Sequence, residues 1–270
     1  MRAPPVVDHG TRRRRATYRR ALWTTAELAV TLGVVLLLLV VHQLWWTNRQ
    51  AREGAERKVE ALERNWDSGT RGTAADAQGT PDPAATDETG ETGGTDGSGE
   101  TTDGARTRRT GGTGNSRTPA PSQAYAVLTI PRLGLRVPVA EGISKQNVLN
   151  KGYAGHYPRT AQPGEAGNFA LAGHRNTHGE PFRYINRLRR GDEVRVETEE
   201  AVYTYVVDKN LARTTPGDGG VIRPVPRSTV RPSYGYGAPG HYLTLTTCTP
   251  EYTSTYRLVV WGKLNSVRHR

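Results

Sequence analysis

The pattern of apolar and polar positions changes abruptly several times along the chain. From Leu28 to Trp46, LAVTLGVVLLLLVVHQLWW, nearly every position is apolar, and no Asp, Glu, Lys or Arg occurs between Glu27 and Arg49. About 20 such residues, rising 1.5 Å each as a helix, span the roughly 30 Å hydrocarbon core of a bilayer. Residues 47–66 are rich in Ala, Glu and Arg and predict a short, solvated helical stalk. Over residues 67–122 apolar positions almost vanish among Gly, Thr, Asp and Pro, as in TDETGETGGTDGSGE. That composition cannot build a core and predicts a disordered tether with an r.m.s. reach of about 40 Å.

Residues 123–266 carry a different pattern, short runs rich in Val, Ile, Tyr and Thr separated by Gly and Pro. AYAVLTIP, LRVPVA, GNFALAGH, DEVRVET, AVYTYVVDKNLA, HYLTLTTC and YRLVVWGKL read as strands, with a hairpin turning near Glu199. SKQNVLNK and FRYINRL are the helical candidates. Many short strands without a long amphipathic helix predict a closed barrel or a sandwich, and periodicity does not separate the two.

Charge refines the N-terminal reading. The formal net charge of +11 would suit a nucleic-acid binder. However, Arg2, Arg12 to Arg15, Arg19 and Arg20 crowd the first 20 residues, and the other cations are dispersed without interleaved aromatics. Nucleic acid is therefore not the expected partner. Basic residues before an apolar span mark its cytoplasmic side, and Trp23, Trp45 and Trp46 fit interfacial anchors. The span is too long for the apolar region of a cleaved signal, and LWWTNRQ is a poor cleavage site. The expected organisation is a cytoplasmic tail (1–27), a single-pass signal anchor (28–46), the stalk (47–66), the tether (67–122) and an extracytoplasmic domain (123–266).

The chain has one cysteine, Cys248, at the end of a strand pattern. It cannot form an internal disulfide although the domain is expected outside the cell membrane. A lone Cys is more often buried filler than a nucleophile. Of the seven histidines, His156, His174, His178 and His241 lie in the domain, and His174 also sits at a strand end. A thiol nucleophile needs an imidazole partner, and two strand ends can meet at a barrel rim. Spacing alone supports that pair only weakly. One Cys and scattered His give no metal-ligand pattern, so no metal or other cofactor is expected.

LTLTTC, followed by Arg257 in YRLVVWG, resembles the active-site signature of the sortases, Thr-Leu-x-Thr-Cys with a later Arg. FALAGHR with the following PF resembles the segment bearing that family's catalytic His. YAVLTIPRLGLRVPVAEG, GDEVRV and TYVV resemble its first strands and central hairpin. The likeness covers Tyr125 to Leu264 and is closest in style to the class E sortases of actinobacteria. It implies an eight-stranded β-barrel and a membrane-anchored cysteine transpeptidase. Such an enzyme cleaves Leu-Pro-x-Thr-Gly or Leu-Ala-x-Thr-Gly sorting signals between Thr and Gly, and passes the acyl group to the amine of a lipid II-type peptidoglycan precursor.

By position, the resemblance makes Cys248 the nucleophile, His174 the general acid/base and Arg257 the group that positions substrate and stabilises the oxyanion. Val221, Ile222 and Val225, in the long loop before HYLTL, and Thr247 become substrate-contacting candidates. His178 and His241 match no catalytic position and read as loop or surface residues. At ordinary pKa values the thiolate–imidazolium pair is about 1% of the population near pH 7.5. A sortase-like hydrolase and a non-catalytic wall-binding module stay open as alternatives. An L,D-transpeptidase does not, because Ser-His-Gly-Cys is absent around Cys248.

Overall fold

The computed structural model of the protein describes residues 9–76 and 119–270. Most of the predicted tether, residues 77–118, lies outside the described residues, as do residues 1–8. One helix, α1 (His9–Asp76), runs from the Arg-rich segment through the apolar stretch and the stalk into the first tether residues. The barrel strands are β1 (Ala124–Ile130), β2 (Leu135–Glu141), β3 (Ala154–His156), β4 (Gly167–Ala172), β5 (Glu193–Glu197), β6 (Ala201–Thr214), β7 (His241–Thr249) and β8 (Tyr256–His269). They close in the order β1-β2-β3-β4-β7-β8-β6-β5. The pairs β2–β3 and β4–β7 are parallel, and the others are antiparallel.

The eight-stranded barrel is as expected, and β5 and β6 form the hairpin around Glu199. β3 was not read from the sequence. Three residues flanked by Gly152 and Pro158 are too short to show a period of two. The two helical candidates shrink to single 3-10 turns, Leu149–Lys151 and Ile185–Arg187. In the first, Gly152 in the left-handed region (φ 79°) closes the turn.

Alternation along the strands fills the interior. Ala126, Leu128 and Ile130 of β1, Val137 and Val139 of β2, Leu243 and Leu245 of β7, and Leu258 and Val260 of β8 join Phe169, Phe182 and Tyr205 in one core. The outward positions are covered too, which is why the strands read as nearly continuous apolar runs. The β6–β7 loop covers one outer face, where Val221, Tyr236 and Tyr242 pack on Leu211, Val259 and Trp261. Asp218 staples that loop, accepting hydrogen bonds from the hydroxyls of Thr214, Ser228 and Thr229 and from the Thr229 amide. Burial of Asp218 opposes ionisation, but those hydrogen bonds together outweigh it and hold the carboxyl below its usual range.

α1 covers a second outer face. Val59, Leu62 and Trp66 pack on Ala124, Val127, Ala140 and Val148, and Ala55 is buried as well. Burying Val59 and Leu62 contributes about 1.5–3 kcal/mol each. The stalk is therefore docked, not solvated as its composition suggested. Nearer its N-terminus α1 contains an 18-residue stretch of mean hydropathy 2.3, none of it buried within the protein. By length and composition it suffices to cross a membrane.

Candidate active site

The site is built at the ends of three adjacent strands, β4, β7 and β8. In the parallel β4–β7 ladder Ala172 lies opposite Thr246, and the Gly173 amide continues the ladder to the Thr246 carbonyl at 3.1 Å. His174 follows directly, between Gly173 and Arg175, both of which bond to the end of β7. In the antiparallel β7–β8 ladder Cys248 is the direct partner of Arg257. The register thus pairs Cys248 with Arg257 and brings the segment that bears His174, far earlier in the sequence, to the end of β7.

Each side chain has its own supports. Cys248 is half-buried and unpaired. The Arg175 guanidinium, itself buried, donates from Nη1 to the Cys248 carbonyl (3.1 Å) and to the Thr249 hydroxyl (2.8 Å), fixing the end of β7. Thr247 is buried and donates to the Gly173 carbonyl at 2.8 Å, tying β7 to the segment that bears His174. Arg257 donates from Nη1 to the carbonyls of Ser254 (2.9 Å) and Tyr256 (3.0 Å). Those contacts use Nη1 alone of a fork with five N–H donors.

His174 Nε2 lies 2.8 Å from Asn150 Oδ1. An amide oxygen only accepts, so Nε2 carries the hydrogen and Nδ1 holds the lone pair. The ring of His178 stacks on His174, with centroids 5.3 Å apart and planes at 28°. Burial, then the charges of His178 and Lys145, lower the His174 pKa from 6.5 to about 4. Burial also lowers that of His178. His174 is therefore neutral at neutral pH.

Of the substrate-contacting candidates, Val221, Ile222 and Val225 lie together in the outer-face cluster, and Thr247 lies apart on β7. Val221 is 5% exposed and locked into the outer-face cluster, and its carbonyl accepts from Trp261 Nε1 at 3.1 Å. Ile222 and Val225 are partly buried beside it. Val225, Arg223, Arg227 and Tyr236 line an open depression of about 630 Å³ on the same loop. A larger crevice, about 1020 Å³, lies between α1 and the β5–β6 hairpin at the opposite end of the barrel and takes no part in the site. Thr247 braces the backbone. His178 is a loop residue, as read, yet it stacks on His174; His241 is exposed and pairs with the Gly164 carbonyl at 2.9 Å. Asn150 and Arg175 were missed by sequence reasoning. Arg175 had a signal, its place directly after His174. Asn150 had none.

A sortase domain model matches residues 128–265. The chain is 41% identical over 249 residues to Sortase SrtE1 of Streptomyces coelicolor, covering 90% of this chain and 57% of that protein. It is 33% identical over 261 residues to Sortase SrtE2 of the same organism, covering 94% and 86%. The crystal structure of Sortase E1 from Streptomyces coelicolor, which has a tripeptide in its active site, aligns with a TM-score of 0.53 and 51% identity over 57% of this chain and 94% of that one. A sortase of Corynebacterium diphtheriae, SrtF, aligns with a TM-score of 0.51 and 27% identity over 60% and 94%. The expected class E likeness agrees with these relatives. The chain spans only 57% of the length of SrtE1.

Proposed function

The chain belongs to the sortase family, whose members are cysteine transpeptidases, and on that premise we propose that it cleaves Leu-Ala-x-Thr-Gly or Leu-Pro-x-Thr-Gly sorting signals and joins the released acyl group to a cell-wall precursor amine. The observation that carries this reading is the register across β4, β7 and β8, with Cys248 opposite Arg257 and the segment that bears His174 tied to the end of β7.

The chemistry starts from a neutral His174. As the Cys248 sulfur attacks the Thr carbonyl carbon, the imidazole takes the thiol proton. The carbonyl electron pair moves onto oxygen, and the Arg257 guanidinium stabilises that oxyanion. Collapse of the tetrahedral species breaks the Thr–Gly bond, and the imidazolium returns its proton to the departing Gly amine. The product is a thioester on Cys248. An incoming amine gives up a proton to His174, attacks the thioester and releases the thiolate, which is reprotonated.

The apolar stretch of α1 supports anchoring in the cell membrane with the Arg-rich segment inside and the barrel outside. The donor partners are then surface proteins bearing sorting signals, and the acceptor a peptidoglycan precursor of the lipid II type. A panel of Leu-Ala-x-Thr-Gly and Leu-Pro-x-Thr-Gly peptides, incubated with and without an excess of amine, tests the reading. The expected product is the amide of the peptide's Thr with the added amine, formed faster from the Ala series. Free Thr carboxylate as the sole product under excess amine would make the protein a hydrolase instead.

A further inference from the structure

The contacts of α1 run along the barrel in a definite order. Asn48 and Arg52 touch the active-site end. Asn48 Nδ2 donates to Glu180 Oε1 (3.0 Å), and Asn48 Oδ1 accepts from the Gly179 amide (3.3 Å). Arg52 Nε donates to the Gly179 carbonyl and Nη2 to Glu180 Oε2, both at 3.1 Å. Val59 and Leu62 lie on the barrel wall. Trp66 reaches the far end, where its ring lies under the Arg270 guanidinium at 4.9 Å, and the Arg270 amide in turn bonds to the Glu200 carbonyl in the β5–β6 hairpin.

The turn held by Asn48 and Arg52 is unusual. His178 (φ 52°), Gly179 (φ 82°) and Glu180 (φ 54°) are all in the left-handed region. Side chains rarely adopt it, and it persists only where neighbours over-determine it. Here the neighbours are α1 and Arg183, which donates to Glu180 Oε2 at 2.7 Å. The approach is close, since a Cβ on Gly152 would meet the Ala51 carbonyl at 3.0 Å. The same turn carries the ring that stacks on His174.

Distances along the helix set the heights. Arg52 stands six residues beyond Trp46, about 9 Å along the axis, and Trp66 about 30 Å. We propose that the docked segment Asn48–Trp66 mounts the barrel with its active-site end turned toward the membrane. In this position Cys248 works on peptide and amine held close to the bilayer surface, and Asn48 and Arg52 act as positioning residues for the His178–Glu180 turn. This inference rests on the sortase reading for its substrates and on the membrane-spanning role of residues 28–46 for its geometry.

The orientation can be measured without turnover, so its failure is separate from failure of the proposed activity. The full-length chain carrying Cys248→Ala is reconstituted into vesicles. A single fluorophore is placed through Tyr252→Cys, on the exposed β7–β8 loop of the active-site end, or through Glu199→Cys, at the hairpin of the far end. Lipids with a nitroxide on the headgroup should quench position 252 several-fold more strongly than position 199. Equal quenching, or stronger quenching at 199, overturns the mounting. Val59→Asp, placed away from the active site, should erase the difference by undocking the helix. With Cys248 intact, the same variant releases the His178–Glu180 turn and should lose about 10-fold on a soluble signal peptide, and at least about 10-fold more on a vesicle-anchored peptide with a short spacer. Unchanged use of the anchored peptide by an undocked variant would also overturn it.

Discussion

Two histidines, one buried and one half-buried, sit at the ends of neighbouring strands of one barrel in opposite surroundings. His156, at the end of β3, is 1% exposed and saturated. Its Nδ1 meets Glu141 Oε2 at 2.6 Å, and its Nε2 meets the Thr160 hydroxyl at 2.8 Å and the Ala161 carbonyl at 3.1 Å. His174, just beyond β4, has one hydrogen-bond partner, an amide oxygen, with Lys145 and His178 nearby. A carboxylate partner and two engaged nitrogens make a histidine a fixed brace. One neutral partner and a ring nitrogen with no partner among the described residues suit His174 to the proton transfer proposed for it. The local sequences, AGHY and AGHR, scarcely differ, and the distinction arises from what the barrel places around each ring.

The sharpest way to break this contrast is to truncate both rings. His174→Ala should lower kcat/KM by about 10³-fold or more, since base and leaving-group acid are lost together, and should leave the unfolding midpoint nearly unchanged. His156→Ala should do the reverse. It strands the buried Glu141 carboxylate, costing on the order of 3 kcal/mol, while kcat/KM per folded molecule stays within a few-fold. Urea unfolding and peptide cleavage on the same samples check both, and the contrast fails if the two variants lose activity alike.

Arg257→Lys comes next in size. The charge is kept but the planar fork is lost, so kcat should fall by roughly 10²-fold with a smaller change in KM. A near-native kcat with weakened KM would make Arg257 a substrate clamp. Asn150→Ala should be milder, about 10-fold in kcat, the worth of one hydrogen bond that fixes the tautomer. Single-turnover kinetics with a saturating signal peptide separates the two.

The smallest effect is in pH dependence. Because His174 has a folded pKa lowered to about 4, the acid limb of kcat/KM should lie well below pH 6.5. Between those values the unfolded chain binds more protons at this group than the native one. Titration of His174 therefore leaves the fold at full stability above pH 6.5 and weakens it as pH falls toward 4. Lys145→Gln removes one of the lowering charges and should move the acid limb upward by a few tenths of a unit in about 0.1 M salt, where screening is substantial. No movement would leave burial as the dominant cause.

Only half of the contrast was legible in the sequence. The resemblance of LTLTTC, FALAGHR and YRLVVWG to the sortase signature named Cys248, His174 and Arg257, whereas nothing in AGHY set His156 apart. What surrounds them was hidden for physical reasons. Asn150 lies on a 3-10 turn in a loop, where no periodicity links it to a strand end 24 residues away. β3 is short enough that Ala154–His156 reads as turn. The docking stripe Ala55, Val59, Leu62 and Trp66 has helical spacing, but charged residues on every other face dilute it into an ordinary stalk. Its partners Val127 and Ala140 are outward-facing strand positions whose apolar character makes sense only with a helix on top.

The central claim is that Cys248 carries the acyl group between two substrates. Intact-mass measurement of the protein mixed with a Leu-Ala-x-Thr-Gly peptide, without amine and at short times, tests it directly. The account predicts an added mass equal to the Leu-Ala-x-Thr acyl fragment, located on Cys248, discharged when amine is added and absent from Cys248→Ala. Peptide cleavage that proceeds without that adduct, or that survives in Cys248→Ala, would contradict it.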